Sequence, residues 1–362
     1  VVMLQSGDGE TVRLWHLLIE ESERYFDKVY ARLNVLLTKD DIVGESFYNP
    51  MLADIAGELE GKGLAVVDDG ALCVFPPGFT GRDDKPFPLM VRKRDGGYGY
   101  DATDLAALRY RVTELTGDRI VYVVDARQSQ HFALLFAAGE MAGWLNDAHR
   151  AEHVAFGSVL GGDGKPLKTR AGGSVKLIEL LDEAVVRAEA VVSEKNPELD
   201  AATRSEVARM VGIGAVKYAD LSNDRVKDYV FDFDRMLAFE GNTAPYLQYA
   251  HARIRSIFRR AEIADFAGAT VSIGEREERD LAIALTGFEA AVRATAESLQ
   301  PHKLATYLFD LAQVFTAFYE ACPILRADDE ATRQSRLALA DLTARTLARG
   351  LDLLGIEVPE RM

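Results

Sequence analysis

Arg119-Ile120-Val121-Tyr122-Val123-Val124-Asp125 is a run of five apolar residues that ends on a carboxylate, and after Ala126-Arg127-Gln128-Ser129-Gln130 apolar residues return at helical spacing from His131 to Leu145. A short, continuously apolar, β-branched run between helical stretches predicts a buried strand. Upstream, Ala102 to Leu115 reads as a helix, and downstream His153 to Leu160 reads as a second strand. The αβαβ alternation implies a parallel sheet, whose ligands sit beyond the C-terminal ends of the strands. Chemistry is therefore expected in the loops after Asp125 and after Leu160.

Towards the N-terminus, Leu14 to Leu33 places Leu17, Leu18, Phe26, Val29, Tyr30 and Leu33 at helical spacing, with Glu20, Glu21 and Glu23 on the polar side. A polar turn from Gly44 to Pro50 leads into a helix over Met51 to Lys62, with the proline suited to its first turn. Short strands are predicted at Leu64 to Val67, Ala71 to Phe75 and Leu89 to Lys93, separated by Asp68-Asp69-Gly70 and Pro76-Pro77-Gly78. After Ser174 the pattern is almost wholly helical: Val175 to Glu194, Ser205 to Leu221, Thr243 to Ile263, Glu277 to Leu299, Lys303 to Ala321 and Glu330 to Leu354. The expected fold is α/β followed by all-α, with domains at 1–242 and 243–362 divided at the turn Phe239-Glu240-Gly241-Asn242.

With 362 residues, 48% hydrophobic and 27% charged, the chain has the composition of an ordinary globular protein long enough for two domains. It contains no apolar run of the roughly 20 residues a membrane span needs and no signal-peptide pattern at its start, so a cytoplasmic location and no membrane partner are expected. Cys73 and Cys322 are far apart, lack zinc-site spacing and read as buried thiols; no metal site is expected. A net charge of −15 weighs against nucleic acid, but residues 243–362 hold 14 Lys+Arg against 17 Asp+Glu, a balance of −3, so local phosphate-binding patches are compatible with it. The opening Val1-Val2-Met3-Leu4-Gln5 enters a helical pattern almost at once and reads as the start of a fragment.

Three stretches carry candidate chemistry. The loop from Gly161 to Ser174 holds five glycines and three cations (Lys165, Lys168 and Arg170) between a strand and a long helix. Backbone N–H groups and cations of this kind can meet a polyphosphate; the same composition also suits a plain mobile connection. Pro166 after Gly164-Lys165 excludes a Walker A loop. Tyr100, Asp104 and Gln128 can converge on one crevice at the sheet edge, where a carboxylate beside an aromatic wall would suit a planar guanidinium; alternatively Asp104 serves only the dipole of its own helix. Tyr246, Tyr249 and Arg253 share a helix face, as either a base-stacking surface or an aromatic core stripe.

Taken in order, Leu14-Trp15 through Tyr30-Ala31-Arg32-Leu33, Gly44-Glu45-Ser46, Tyr100 with Thr103-Asp104-Leu105-Ala106, Lys165 to Gly173, Gly212 to Leu221, Phe239 to Tyr246 and the terminal Glu360-Arg361-Met362 resemble bacterial arginyl-tRNA synthetase, a class I synthetase. The resemblance covers essentially the whole chain. It implies the second half of a Rossmann-type catalytic sheet, then a helical-bundle anticodon-binding domain of the DALR type, and an ATP-dependent activation of L-arginine with transfer to tRNA(Arg), Mg2+ accompanying the ATP. Lys168 and Arg170 match the KMSKS loop, here at 161–174, as catalytic cations, with Lys168 also on ATP; the tripeptide Lys168-Thr169-Arg170 departs from the consensus. Tyr100, Asp104 and Gln128 match arginine-binding positions, and His153, Phe156 and Gly157 match positions at the adenine and ribose. Tyr246, Tyr249, Arg253, Tyr319 and Met362 match residues that contact or organise the anticodon loop. No His-x-Gly-His motif occurs in the chain, so the resemblance implies a preceding segment that holds it, and inactivity of this chain alone. A monomer is expected. A non-catalytic tRNA-binding module derived from a synthetase is the alternative, free to lose Asp104, Gln128 and the loop cations, all of which are present.

Overall fold

The structure is a computed structural model that describes residues 2–5, 7–81, 84–165, 176–263, 266 and 268–362. It divides into two compact units, one of Val1–Tyr25 and Leu37–Gly157, the other of Phe26–Leu36 and Ser158–Met362.

The first unit opens with the short helix α1 (Val2–Gln5) and most of α2 (Gly9–Leu33). Pro50 lies inside a 3-10 turn, Glu45–Met51, and helix α3 (Leu52–Gly61) begins just after it rather than at the proline. Strands β1 (Ala65–Asp68), β2 (Ala71–Val74) and β3 (Leu89–Arg92) form an antiparallel sheet. Helix α4 (Tyr100–Thr113) leads to β4 (Arg119–Asp125), and helix α5 (Ser129–Met141) leads to β5 (Arg150–Phe156). β4 and β5 pair in parallel, in register from Arg119 opposite Arg150 to Asp125 opposite Phe156, as the αβαβ alternation requires.

Two strand expectations need correction. β4 is not buried on both faces: Ile120 and Tyr122 enter the core that includes Leu105, Leu108, Phe132 and Leu135, whereas Val121 and Val123 are 38% and 64% exposed. Among the described residues, helix packing covers one face only. The run from His153 to Leu160 is not one strand either. β5 stops at Phe156, and after Gly157-Ser158 the pair Val159–Leu160 forms β6, which is parallel to β7 (Tyr229–Val230) in a separate sheet.

In the second unit α6 (Leu177–Lys195) and α7 (Ala201–Leu221) pack so closely that a β-carbon on Gly212 would stand 2.7 Å from the Val185 nitrogen and 2.8 Å from the Ala184 carbonyl. The short helix α8 (Phe233–Met236) precedes α9 (Ala244–Arg260), which Thr243 caps by accepting the Tyr246 N–H. The predicted helix Glu277 to Leu299 is two helices, α10 (Arg276–Thr286) and α11 (Phe288–Ser298), hinged on Gly287. Helices α12 (His302–Ala321) and α13 (Glu330–Leu353) complete the bundle, whose core holds Leu247, Ile254, Leu281, Leu308, Phe315 and Leu347. Gln248 sits on Gly214 and donates to the carbonyls of Met210 and Glu357, fastening α9 to α7 and to the C-terminal segment. Cys73 and Cys322 are buried free thiols.

Candidate functional site

The crevice beside β4 is built by two helix N-termini. Gly99, in extended backbone, lets α4 start at Tyr100, and Asp101 in its first turn accepts the Met90 N–H at 3.0 Å, which ties the helix to β3. Asp104 lies three residues further, hence on the same side of the helix. Across from it, α5 starts at Ser129 after a 3-10 turn that Asp125 caps, and its first turn presents His131. His131 Nε2 is 2.7 Å from Asp104 Oδ2, and Nδ1 is 3.4 Å from Asp101 Oδ1. The Tyr100 ring, 62% exposed, stands edge-on to the imidazole at 5.0 Å.

Burial alone would favour the neutral imidazole, but hydrogen bonds to Asp101 and Asp104, with their charges, outweigh it and push the His131 pKa up to about 9. At neutral pH the ring is therefore an imidazolium between two carboxylates. The Asp104 side chain remains one-third exposed. Among the described residues no hydrogen bond reaches its Oδ1, so it keeps an open acceptor at the mouth of the crevice. Asp101, not Asp104, is the acidic residue in the first turn of α4, so the helix-dipole alternative fits Asp101 better.

Tyr100 and Asp104 are thus brought together, with His131 as their common neighbour. Gln128 is exposed at the entry to α5, one turn before His131, and its side chain makes no capping bond. His153 donates from Nε2 to the Val124 carbonyl at 3.0 Å and packs against Phe132 at 4.8 Å; a carbonyl only accepts, so this nitrogen carries the proton. Phe156 ends β5 with 40% exposure, and Gly157 follows it. Asp125, at the end of β4, is engaged by the Arg127 side chain at 2.9 and 2.8 Å, which with the Arg127 N–H holds its pKa down to about 2. That carboxylate is paired with the exposed Arg127 side chain. Lys168 and Arg170 lie outside the described residues. The preceding Gly161 to Lys165 form a tight turn, with Gly161 N–H donating to the Lys165 carbonyl at 2.7 Å.

On α9 the three predicted residues differ in setting. Tyr246 leans inward on Phe309 at 5.6 Å, Tyr249 is 42% exposed beside Phe239 at 6.2 Å, and the Arg253 guanidinium lies over the Tyr319 ring at 4.1 Å. Tyr249, Phe239, Val192, Lys195 and Met362 line a cavity of 350 Å³, with the Lys195 ammonium over the Phe239 ring at 4.8 Å. An exposed aromatic beside an ammonium is a place where an unpaired base could stack near phosphate. Sequence reading missed His131 and Asp101 at the first crevice and Lys195 and Phe239 at the second. The signal for Asp101 was its i, i+3 spacing to Asp104; for the others only the folded contacts reveal it.

A family model for the catalytic domain of class I (R) tRNA synthetases matches residues 1–233, and one for the DALR anticodon binding domain matches residues 247–362. A parallel sheet with a crevice beyond its strand ends, followed by a helical bundle, is here the architecture of a class I aminoacyl-tRNA synthetase. The arginine–tRNA ligase of Thermobifida fusca is 58% identical over 364 residues, a match that covers all of this chain and 63% of that relative. The arginyl-tRNA synthetase of Plasmodium falciparum superimposes with a TM-score of 0.85 at 32% identity, over 100% of this chain and 60% of that one. For the Thermus thermophilus arginyl-tRNA synthetase the TM-score is 0.82 at 32% identity, over 99% and 65%. The chain belongs to the arginyl-tRNA synthetase family. It spans less than two-thirds of the length of the curated relatives it matches.

Proposed function

We propose that this chain supplies the arginine-recognising crevice and the tRNA-reading bundle of an arginine–tRNA ligase, with domains at 1–242 and 243–362. In that reaction a carboxylate oxygen of arginine attacks the α-phosphorus of ATP, and the bond to pyrophosphate breaks as arginyl-adenylate forms. The arginyl group then passes to the terminal ribose of tRNA(Arg). Mg2+ enters with the ATP phosphates, and the enzyme works as a cytoplasmic monomer. No described helix is long and apolar enough to cross a membrane.

The observation that carries the reading is the Asp104 carboxylate, which keeps one open oxygen beside the exposed face of Tyr100. A guanidinium is planar, permanently charged and rich in donors, so a carboxylate with an aromatic wall recognises it better than it does an ammonium. Gln128, at the entry to α5, is the candidate third contact. His153, Phe156 and Gly157 are candidates for the adenine and ribose, and Lys168 and Arg170 for the phosphates.

Arginine-dependent ATP–pyrophosphate exchange with tRNA(Arg) present tests the reading. A chimera that joins this chain to the unmatched remainder of the Thermobifida fusca relative is expected to exchange. The 362 residues alone, without a His-x-Gly-His motif, are expected to run at least about 10²-fold slower, since each missing charge-stabilising donor is worth about that much. Exchange by the chain alone at the rate of the chimera would contradict this. A chimera that binds tRNA(Arg) but never exchanges would favour the non-catalytic module.

For the bundle, Tyr249→Ala is expected to weaken tRNA(Arg) binding by about 1–3 kcal/mol through a lost stack, with little change in melting temperature because the ring is 42% exposed. Filter binding and thermal unfolding on the same variant check it. Tyr246→Ala should do the reverse, costing stability through its lost contact with Phe309.

A further inference from the structure

The two carboxylates of the crevice do not have equal freedom. Asp101 spends Oδ2 on the Met90 N–H and Oδ1 on His131, whereas Asp104 spends Oδ2 on His131 and keeps Oδ1 open. His131 itself is hydrogen-bonded at Nε2 and faces Asp101 from Nδ1 at 3.4 Å, its side chain only 12% exposed, with Tyr100 and Phe132 against the ring at 5.0 and 5.2 Å. Two carboxylates and one imidazolium leave one net negative charge, which one guanidinium would neutralise.

We propose that His131 is a positioning residue for guanidinium recognition, the built-in counter-cation that holds Asp104 by one oxygen, turns the other towards the ligand and sets the charge of the site to minus one. The inference rests on the guanidinium reading of Asp104. Without the charge on His131 two aspartates one turn apart would be uncompensated, a doubly negative site that binds any cation more tightly but no longer matches the single charge of one guanidinium.

A ligand cation and an imidazolium that share one carboxylate oppose each other, and by linkage the effect is reciprocal. Bound guanidinium must lower the titration midpoint of His131, and loss of the His131 proton must tighten guanidinium binding by the same factor. The other titratable groups on the packed elements are otherwise engaged or distant in role. On β5, His153 is bonded to the Val124 carbonyl and Glu152 to Arg119, while Arg150 lies at the far end of the strand. Asp125 and Arg127 pair with each other, Arg92 ends β3, and Cys73 on β2 and Tyr122 on β4 are neutral.

The test is a histidine-labelled NMR titration of the full 362-residue chain with and without n-butylguanidinium. This probe has no amine and keeps its charge across the range. The His131 signal is identified by its loss in His131→Gln, a variant that keeps a donor for Asp104 but no charge. Saturation is expected to lower the His131 midpoint by about one unit, and probe affinity to rise about tenfold as pH passes through that midpoint. In His131→Gln affinity should not vary with pH over that range. If Asp104→Asn abolishes binding but the probe leaves the midpoint unmoved or raises it, the role of His131 is refuted and the guanidinium site stands. If the wild-type chain does not bind the probe, or Asp104→Asn binds it equally well, the site reading fails and the inference with it.

Discussion

Asp104→Asn is expected to lower kcat/KM for arginine by about 10²- to 10³-fold in pyrophosphate exchange by the chimera, while the KM for ATP changes little. The amide keeps the size of the carboxylate but removes the charge, and it presents donors towards a ligand that is itself all donors. It also strands the His131 imidazolium, half of whose support is the 2.7 Å bond to Asp104. Losing one partner of a partly buried charged pair costs more than losing an exposed one, and about 3–4 kcal/mol corresponds to the expected rate loss. Steady-state kinetics with arginine and ATP varied separately check it. An unchanged kcat/KM for arginine would leave Asp104 as a residue that only supports α4 and His131.

Gly212→Ala is expected to destabilise the second unit by about 3 kcal/mol, through overpacking where no side chain can step aside. The added β-carbon would lie 2.7 Å from the Val185 nitrogen and 2.8 Å from the Ala184 carbonyl carbon and oxygen, all backbone atoms of α6. Relief requires α6 and α7 to separate. For a unit of about 200 residues a loss of that size lowers the melting temperature by roughly 6–12 °C, measurable by calorimetry. Gly350→Ala is a useful comparison: its close neighbours are side-chain rather than backbone atoms, those of the fully buried Leu308. Equal melting of Gly212→Ala and wild type would mean that the helices adjust without cost.

Much of the architecture was legible because its determinants are local. β4 was read to the residue from Arg119 to Asp125, since Gly117-Asp118 and Ala126-Arg127 bracket one apolar run. The longer helices α6, α7, α9, α12 and α13 follow periodic apolar faces, and the parallel pairing of β4 with β5 follows from the helix between them. What failed locally failed where a small residue changes the direction of the chain. Gly157 and Ser158 divide one apolar run between two sheets, and Gly287 divides one helical run in two.

The candidate site was only partly legible. Tyr100, Asp104 and Gln128 could be put at one strand edge because loops after parallel strands converge there, but His131 looked like an ordinary helix residue. Its bond to Asp104 spans 27 residues of chain and depends on how α4 and α5 dock. Tyr246 and Tyr249 are likewise equivalent by spacing. Phe309, brought by α12, covers the first, while the second stays open beside Phe239.

By itself the sequence determined the order and type of most of the elements, the two cysteine thiols and the glycines of the Gly212-Ile213-Gly214 segment, because these depend on neighbours a few positions apart. Only the tertiary structure decided that Gly212 is needed for two backbones to touch, that among the described residues one face of β4 is covered and Val121 and Val123 on the other are exposed, and that Asp104 shares its carboxylate with a protonated His131. Each of those outcomes is a contact between segments distant in the chain, and distance, burial and charge at such contacts exist only once the segments have packed.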